Sequence, residues 1–100
     1  MKILEVTTAC ASQAQARQLV EKIVPAKLAA CANYWKIESQ YWWKGKLEKS
    51  SEWMVVFKTA LKNRKKIEKK LQQIHPYKLP AMIFEEKEAE KKFRKWVESC

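Results

Sequence analysis

Few residues of this 100-residue chain can do chemistry, and their types restrict what that chemistry is. His75 is the only histidine, the cysteines are Cys10, Cys31 and Cys100, all 11 acids are glutamates, and aspartate is absent. Without aspartate there is no Ser-His-Asp triad and no aspartyl dyad. The single glycine, Gly45, rules out the glycine-rich loops that cradle nucleotide phosphates. No nucleophile has an evident base, and the only closely spaced carboxylates fall in the solvated run Glu85 to Glu90, so an enzyme is not expected. What remains is metal binding. Copper(II) favours imidazole and copper(I) favours thiolate, so a site built on His75 needs a thiol or carboxylate brought to it by folding or by a second chain. Cys10, in the loop after the first strand, and Cys31 are the candidate partners; Cys31 also reads as a small buried hydrophobe, and His75 as a helix cap bonded across an interface.

The elements that must position these groups follow from periodicity. Lys2 to Ala9 is rich in β-branched residues and reads as a strand. Ser12 is a plausible N-cap for a helix from Gln13, whose Ala16, Leu19, Val20, Ile23 and Val24 form one apolar stripe that Pro25 ends. Ala30 to Trp43 is strand-like and aromatic, Lys44-Gly45 supplies a hairpin turn, and the return strand is expected over Glu52 to Ala60. A helix over Lys62 to Ile74 ends at His75-Pro76, a short strand spans Ala81 to Glu85, and a last helix runs from Ala89 to Ser99. The order is βαββαβ with an extra C-terminal helix, a single domain over residues 1–100. It predicts an α+β, ferredoxin-like antiparallel sheet.

Strand alternation then predicts company for the chain. In the return strand Trp53, Val55, Phe57 and Thr59 should face the helices, while Glu52, Met54, Val56 and Lys58 face the other way. In the hairpin's first arm Trp35, Ile37, Tyr41 and Trp43 share one side, and Tyr34, Lys36, Glu38, Gln40 and Trp42 the other. Large apolar groups on both sides require a second cover, which a further copy of the chain would supply. Tyr34, Trp35, Tyr41, Trp42, Trp53 and Met54 are the expected interface, and Trp43, Lys58 and Tyr77 the expected lining of a cleft between subunits. Lys58 could equally pair with Glu52 or with a neighbour's acid.

A formal net charge of +10 raises a further class of partner. Lys62, Arg64, Lys65, Lys66, Lys69 and Lys70, against Glu68 alone, make one basic helix. A lysine-rich face is ordinarily just solvated, so nucleic acid is not the expected partner. No membrane partner is expected either, because no apolar run approaches the ~20 residues of a membrane span. The lack of a signal-like N-terminus and three cysteines without zinc-ribbon spacing predict a cytoplasmic protein with free thiols.

The segments KLAACAN (Lys27 to Asn33), YWWKGKLE (Tyr41 to Glu48), Glu52 with FKT (Phe57 to Thr59), HPY (His75 to Tyr77) with Pro80, and the aromatic pair Phe93 and Trp96 occur together in order. In this the chain resembles the CutA divalent-cation-tolerance proteins over nearly its whole length. The resemblance implies a ferredoxin-like subunit in a homotrimer shaped like the PII-type regulators. It also implies a role in tolerance of divalent metals, copper above all, with Cu2+ or another divalent cation weakly bound. A PII-like module taking a small anion or a protein at the inter-subunit cleft is the alternative. Two departures bear on the cleft: Lys78 and Ala81 stand where the family often carries acids.

Overall fold

The computed structural model describes residues 1–100. Its sheet is built on β1 (Lys2–Cys10), which pairs antiparallel with β3 (Lys46–Thr59) on one side and β4 (Met82–Glu88) on the other. With β2 (Cys31–Trp43) beyond β3, the order is β2-β3-β1-β4, leaving β2 and β4 as free edges. Helices α1 (Gln13–Ile23) and α2 (Arg64–Ile74) connect the strands, and α3 (Lys91–Glu98) ends the chain. This is the ferredoxin-like α+β order expected from the sequence.

Local chemistry explains most boundaries. The Ser12 side chain accepts a hydrogen bond from Gln15 N–H and starts α1. Lys44 and Gly45 both adopt positive φ, 51° and 77°, as a two-residue hairpin turn requires. Because that turn is so tight, Trp43 pairs with Lys46 at once, and β3 begins six residues before the expected Glu52. The polar run Lys46 to Ser51 carries no strand-like composition; turn geometry recruits it. Likewise β4 extends to Glu88, past the expected Glu85, because β1 offers pairing partners as far as Lys2. A 3-10 turn, Leu61–Asn63, precedes α2, with Asn63 Nδ2 donating to Thr59 Oγ1 at 2.9 Å. The last helix starts two residues later than expected, capped by the Glu90 carboxylate, which accepts from Lys92 N–H.

The core lies between the sheet and the two long helices. Leu4, Val6, Val55 and Phe57 from the strands meet Ala16, Leu19, Ile23, Ile67 and Leu71 in one buried cluster. Full burial of each such side chain contributes about 1.5–3 kcal/mol. On the opposite face α3 lies against β1 and β3, and Ile3 and Val97 are buried outside that cluster. Part of the second sheet face is therefore covered by the chain's own C-terminus, contrary to the expectation that a neighbour supplies all of its cover.

The rest of the second cover is missing where the hairpin leaves the sheet. Pairing of β3 with β1 ends at Trp53↔Cys10, so residues 37–43 and 46–52 form a two-stranded ribbon with no third strand. That ribbon stretches the molecule to 45 × 24 × 22 Å. A two-stranded ribbon alone is marginal in water.

Candidate functional site at the root of the hairpin

A cleft of about 560 Å³ opens where the hairpin meets the loop that follows α2. Tyr41 and Trp43 come from the hairpin, Glu52 from its return strand, and Pro76, Tyr77 and Lys78 from the loop; Ala81 also lines it. Two anchors hold the loop there. Tyr77 Oη donates to Glu52 Oε2 at 2.7 Å, tying loop to hairpin. His75, the C-cap of α2, ties the same loop to the end of β1.

The His75 ring is fully engaged. Its Nδ1 accepts from Tyr77 N–H at 3.0 Å, so the proton resides on Nε2, which lies 2.9 Å from both the Ala9 carbonyl and Thr8 Oγ1. Burial lowers the imidazole pKa from its ordinary value, with the Ala9 carbonyl partly opposing. The ring also leans on Tyr77, with centroids 5.1 Å apart. Burial, reinforced by the Glu52 carboxylate, pushes the Tyr77 phenol well above its usual range, so it stays a hydrogen-bond donor.

The expected metal ligands are not brought together. Cys10 lies opposite Trp53 and Cys31 opposite Lys58, five residues apart along β3, or roughly 17 Å of extended strand. The Cys10 thiol is buried, with Sγ 3.7 Å from the Ser12 carbonyl, and burial raises its pKa. Burial raises the Cys31 pKa as well, against the opposing charge of Lys58. With both His75 nitrogens bonded internally, His75, Cys10 and Cys31 do not form a metal site within one chain, and no cluster of three His, Cys or Glu side chains does so elsewhere.

The expected cleft trio is corrected in one member. Trp43 and Tyr77 line the cleft, whereas Lys58 sits far along β3 and donates to Asn33 Oδ1 at 2.9 Å. Within the chain Lys58 is therefore outside this cleft and does not pair with Glu52. Among the expected interface residues, Tyr34 and Trp53 meet as a tilted pair with centroids 6.1 Å apart and pack against the chain's own core. Met54 is half-buried, while Trp35, Tyr41 and Trp42 are exposed, Trp42 by 72%. Glu52 is the site residue that sequence reasoning missed. Its signal was an isolated acid at the border of the polar run and the apolar segment Trp53 to Phe57.

Comparison with known proteins fits this arrangement to one family. The model of the CutA1 divalent ion tolerance protein matches residues 4–100. The divalent-cation tolerance protein CutA of Thermotoga maritima is 35% identical over 72 residues, covering 72% of this chain and 71% of the relative. CutA from Synechococcus elongatus superposes with a TM-score of 0.92 at 30% identity, over 96% of this chain and 87% of that one. The periplasmic divalent cation tolerance protein CutA from Archaeoglobus fulgidus gives 0.89 at 26% identity, over 97% and 95%. The chain belongs to the CutA divalent-cation tolerance family. No helix in it is long and apolar enough to cross a membrane.

Proposed function

We propose that the chain serves divalent-cation tolerance as a homotrimer, binding its cation, copper foremost, weakly at a site completed between subunits and catalysing no reaction. The observation that carries this reading is the hairpin ribbon. It projects from the sheet with Trp35, Tyr41, Trp42, Trp43 and Leu47 exposed and its backbone edge unpaired. A neighbouring copy satisfies both deficits at once, by burying the aromatics and by pairing the edge. The cleft at the ribbon's root then lies at the subunit boundary, with the Glu52 carboxylate as its one anionic ligand from this chain. Because one chain gathers too few donors, a cation site at this place needs ligands from a second copy. His75 acts by holding the loop and not as a ligand. Three free thiols, one of them in the core, support a reducing, cytoplasmic location.

Analytical ultracentrifugation with copper titration tests the reading. A particle of about 35 kDa, three times the 11.8 kDa chain, is expected. Copper uptake should fall in Glu52→Gln and persist in an aromatic-neutral variant such as Lys49→Gln. A stable 11.8 kDa particle at micromolar concentration, or uptake unchanged by Glu52→Gln, rejects it.

A further inference from the structure

Much of the chain's net positive charge of +10 falls on the helical layer over the sheet. The outward faces of α1, the 3-10 turn and α2 carry Arg17 and Lys22 beside Lys62, Lys65, Lys66 and Lys69, all exposed. Only two of the 11 glutamates, Glu21 and Glu68, lie on these helices. The others lie on the strands, at the start of α3 and near its end. None of the six cations forms an ion pair, since the chain's salt bridges are confined to β1, β4 and α3. Arg64 is occupied differently, its guanidinium stacked 4.6 Å from the Phe84 ring.

Along the 3-10 turn and α2 the cations form a stripe. Asn63, Ile67 and Leu71 are buried at intervals of four and face the sheet, which turns Lys62, Lys65, Lys66 and Lys69 to the opposite side. Lys62 to Lys69 spans roughly 10 Å along the axis, a length that meets several phosphates of a duplex carrying one charge per about 1.7 Å. The sequence alone reads these lysines as a solvated face. The packing of α1 beside α2 and the lysines' lack of carboxylate partners are what the fold adds.

We infer that the α1–α2 face binds the phosphate backbone of double-stranded nucleic acid without reading its sequence. Two absences define the partner. Neither helix exposes an aromatic ring, so there is no stacking platform for single strands. Leu61 is the only large apolar residue exposed on this layer, too little to insert into a lipid surface. What the face offers is ammonium groups, which neutralise phosphates and release their counterions.

Fluorescence anisotropy of the full chain with short labelled duplex DNA, and duplex RNA alongside, tests the inference. Four phosphate contacts predict binding that weakens about 10²-fold between about 50 and 200 mM salt. Replacing Lys62, Lys65, Lys66 and Lys69 with Gln should weaken low-salt binding at least about tenfold and flatten the salt slope. Replacing Lys2, Lys91, Lys92 and Lys95 with Gln, the same charge removed from elsewhere, should retain it. Circular dichroism checks folding; if the fourfold variant is unfolded, Lys65→Glu with Lys69→Glu probes the same face. The inference is overturned by no binding at low salt, by equal loss in both sets of variants, or by tighter binding to phosphatidylserine vesicles than to duplex.

Discussion

Tyr77 Oη and Glu52 Oε2, 2.7 Å apart, join a loop that begins on α2 to the strand on which the hairpin leaves the sheet. The bond closes one wall of the cleft and keeps the acid pointed inward. Removing the hydroxyl in Tyr77→Phe leaves a half-buried carboxylate short of a donor, at a cost of about 1–3 kcal/mol. Urea denaturation of variant and wild type measures this; identical midpoints would show the bond to be idle.

His75 makes stability depend on pH. Its folded-state pKa lies below the ordinary 6.5, so the unfolded chain binds the proton more readily. The stabilisation it gives is complete above pH 6.5 and drains as pH falls from there through the lower folded value. Protonation would place a hydrogen on Nδ1, where the Tyr77 N–H already points. Comparing wild type with His75→Gln by urea denaturation at pH 7.5 and 5.5 should show their difference shrinking on acidification; a constant difference refutes the account.

Lys44 holds a left-handed backbone conformation that side chains with a Cβ adopt at a cost. Lys44→Asn, which restores the residue preferred at that turn position, should stabilise by up to about 1 kcal/mol. Gly45→Ala should destabilise by about 1 kcal/mol through backbone strain alone, because nothing lies within 4 Å of the added methyl. Thermal melts resolve both signs.

Phe57 is completely buried at the centre of the principal cluster. Phe57→Ala should cost about 3–5 kcal/mol, seen as loss of the cooperative transition or a large fall in its midpoint.

Trp42 is the most exposed tryptophan and lies at the tip of the ribbon, opposite Leu47. If a neighbour covers it, Trp42→Ala should leave the subunit fold intact but weaken assembly by about 2–4 kcal/mol. Light scattering against concentration separates this from a folding defect.

The sheet, its order and most of the core were legible because they rest on periodicity: the stripe Ala16, Leu19, Ile23 and the alternation Trp53, Val55, Phe57 mean the same thing in sequence and in space. Lys46 to Ser51 was not legible as strand, since the adjacent two-residue turn decides its pairing and its composition does not. Lys58 and Glu52 show the corresponding difficulty at the site. Both lie on the same side of β3, yet the hairpin root and the opposite end of the strand are different environments. Which one meets the loop depends on where β1 stops pairing, a long-range fact. His75 was legible as a cap; the engagement of its Nε2 depends on Thr8 and Ala9, more than sixty residues away.

The two free edges of the sheet are unlike. The β2 rim runs through tyrosine and tryptophan, whereas β4 ends in Glu85, Glu86, Lys87 and Glu88. Like charges repel when two such β4 rims approach, and this guards against the runaway strand-to-strand growth that seeds fibrils. The aromatic rim can thus remain sticky without making the protein prone to precipitate.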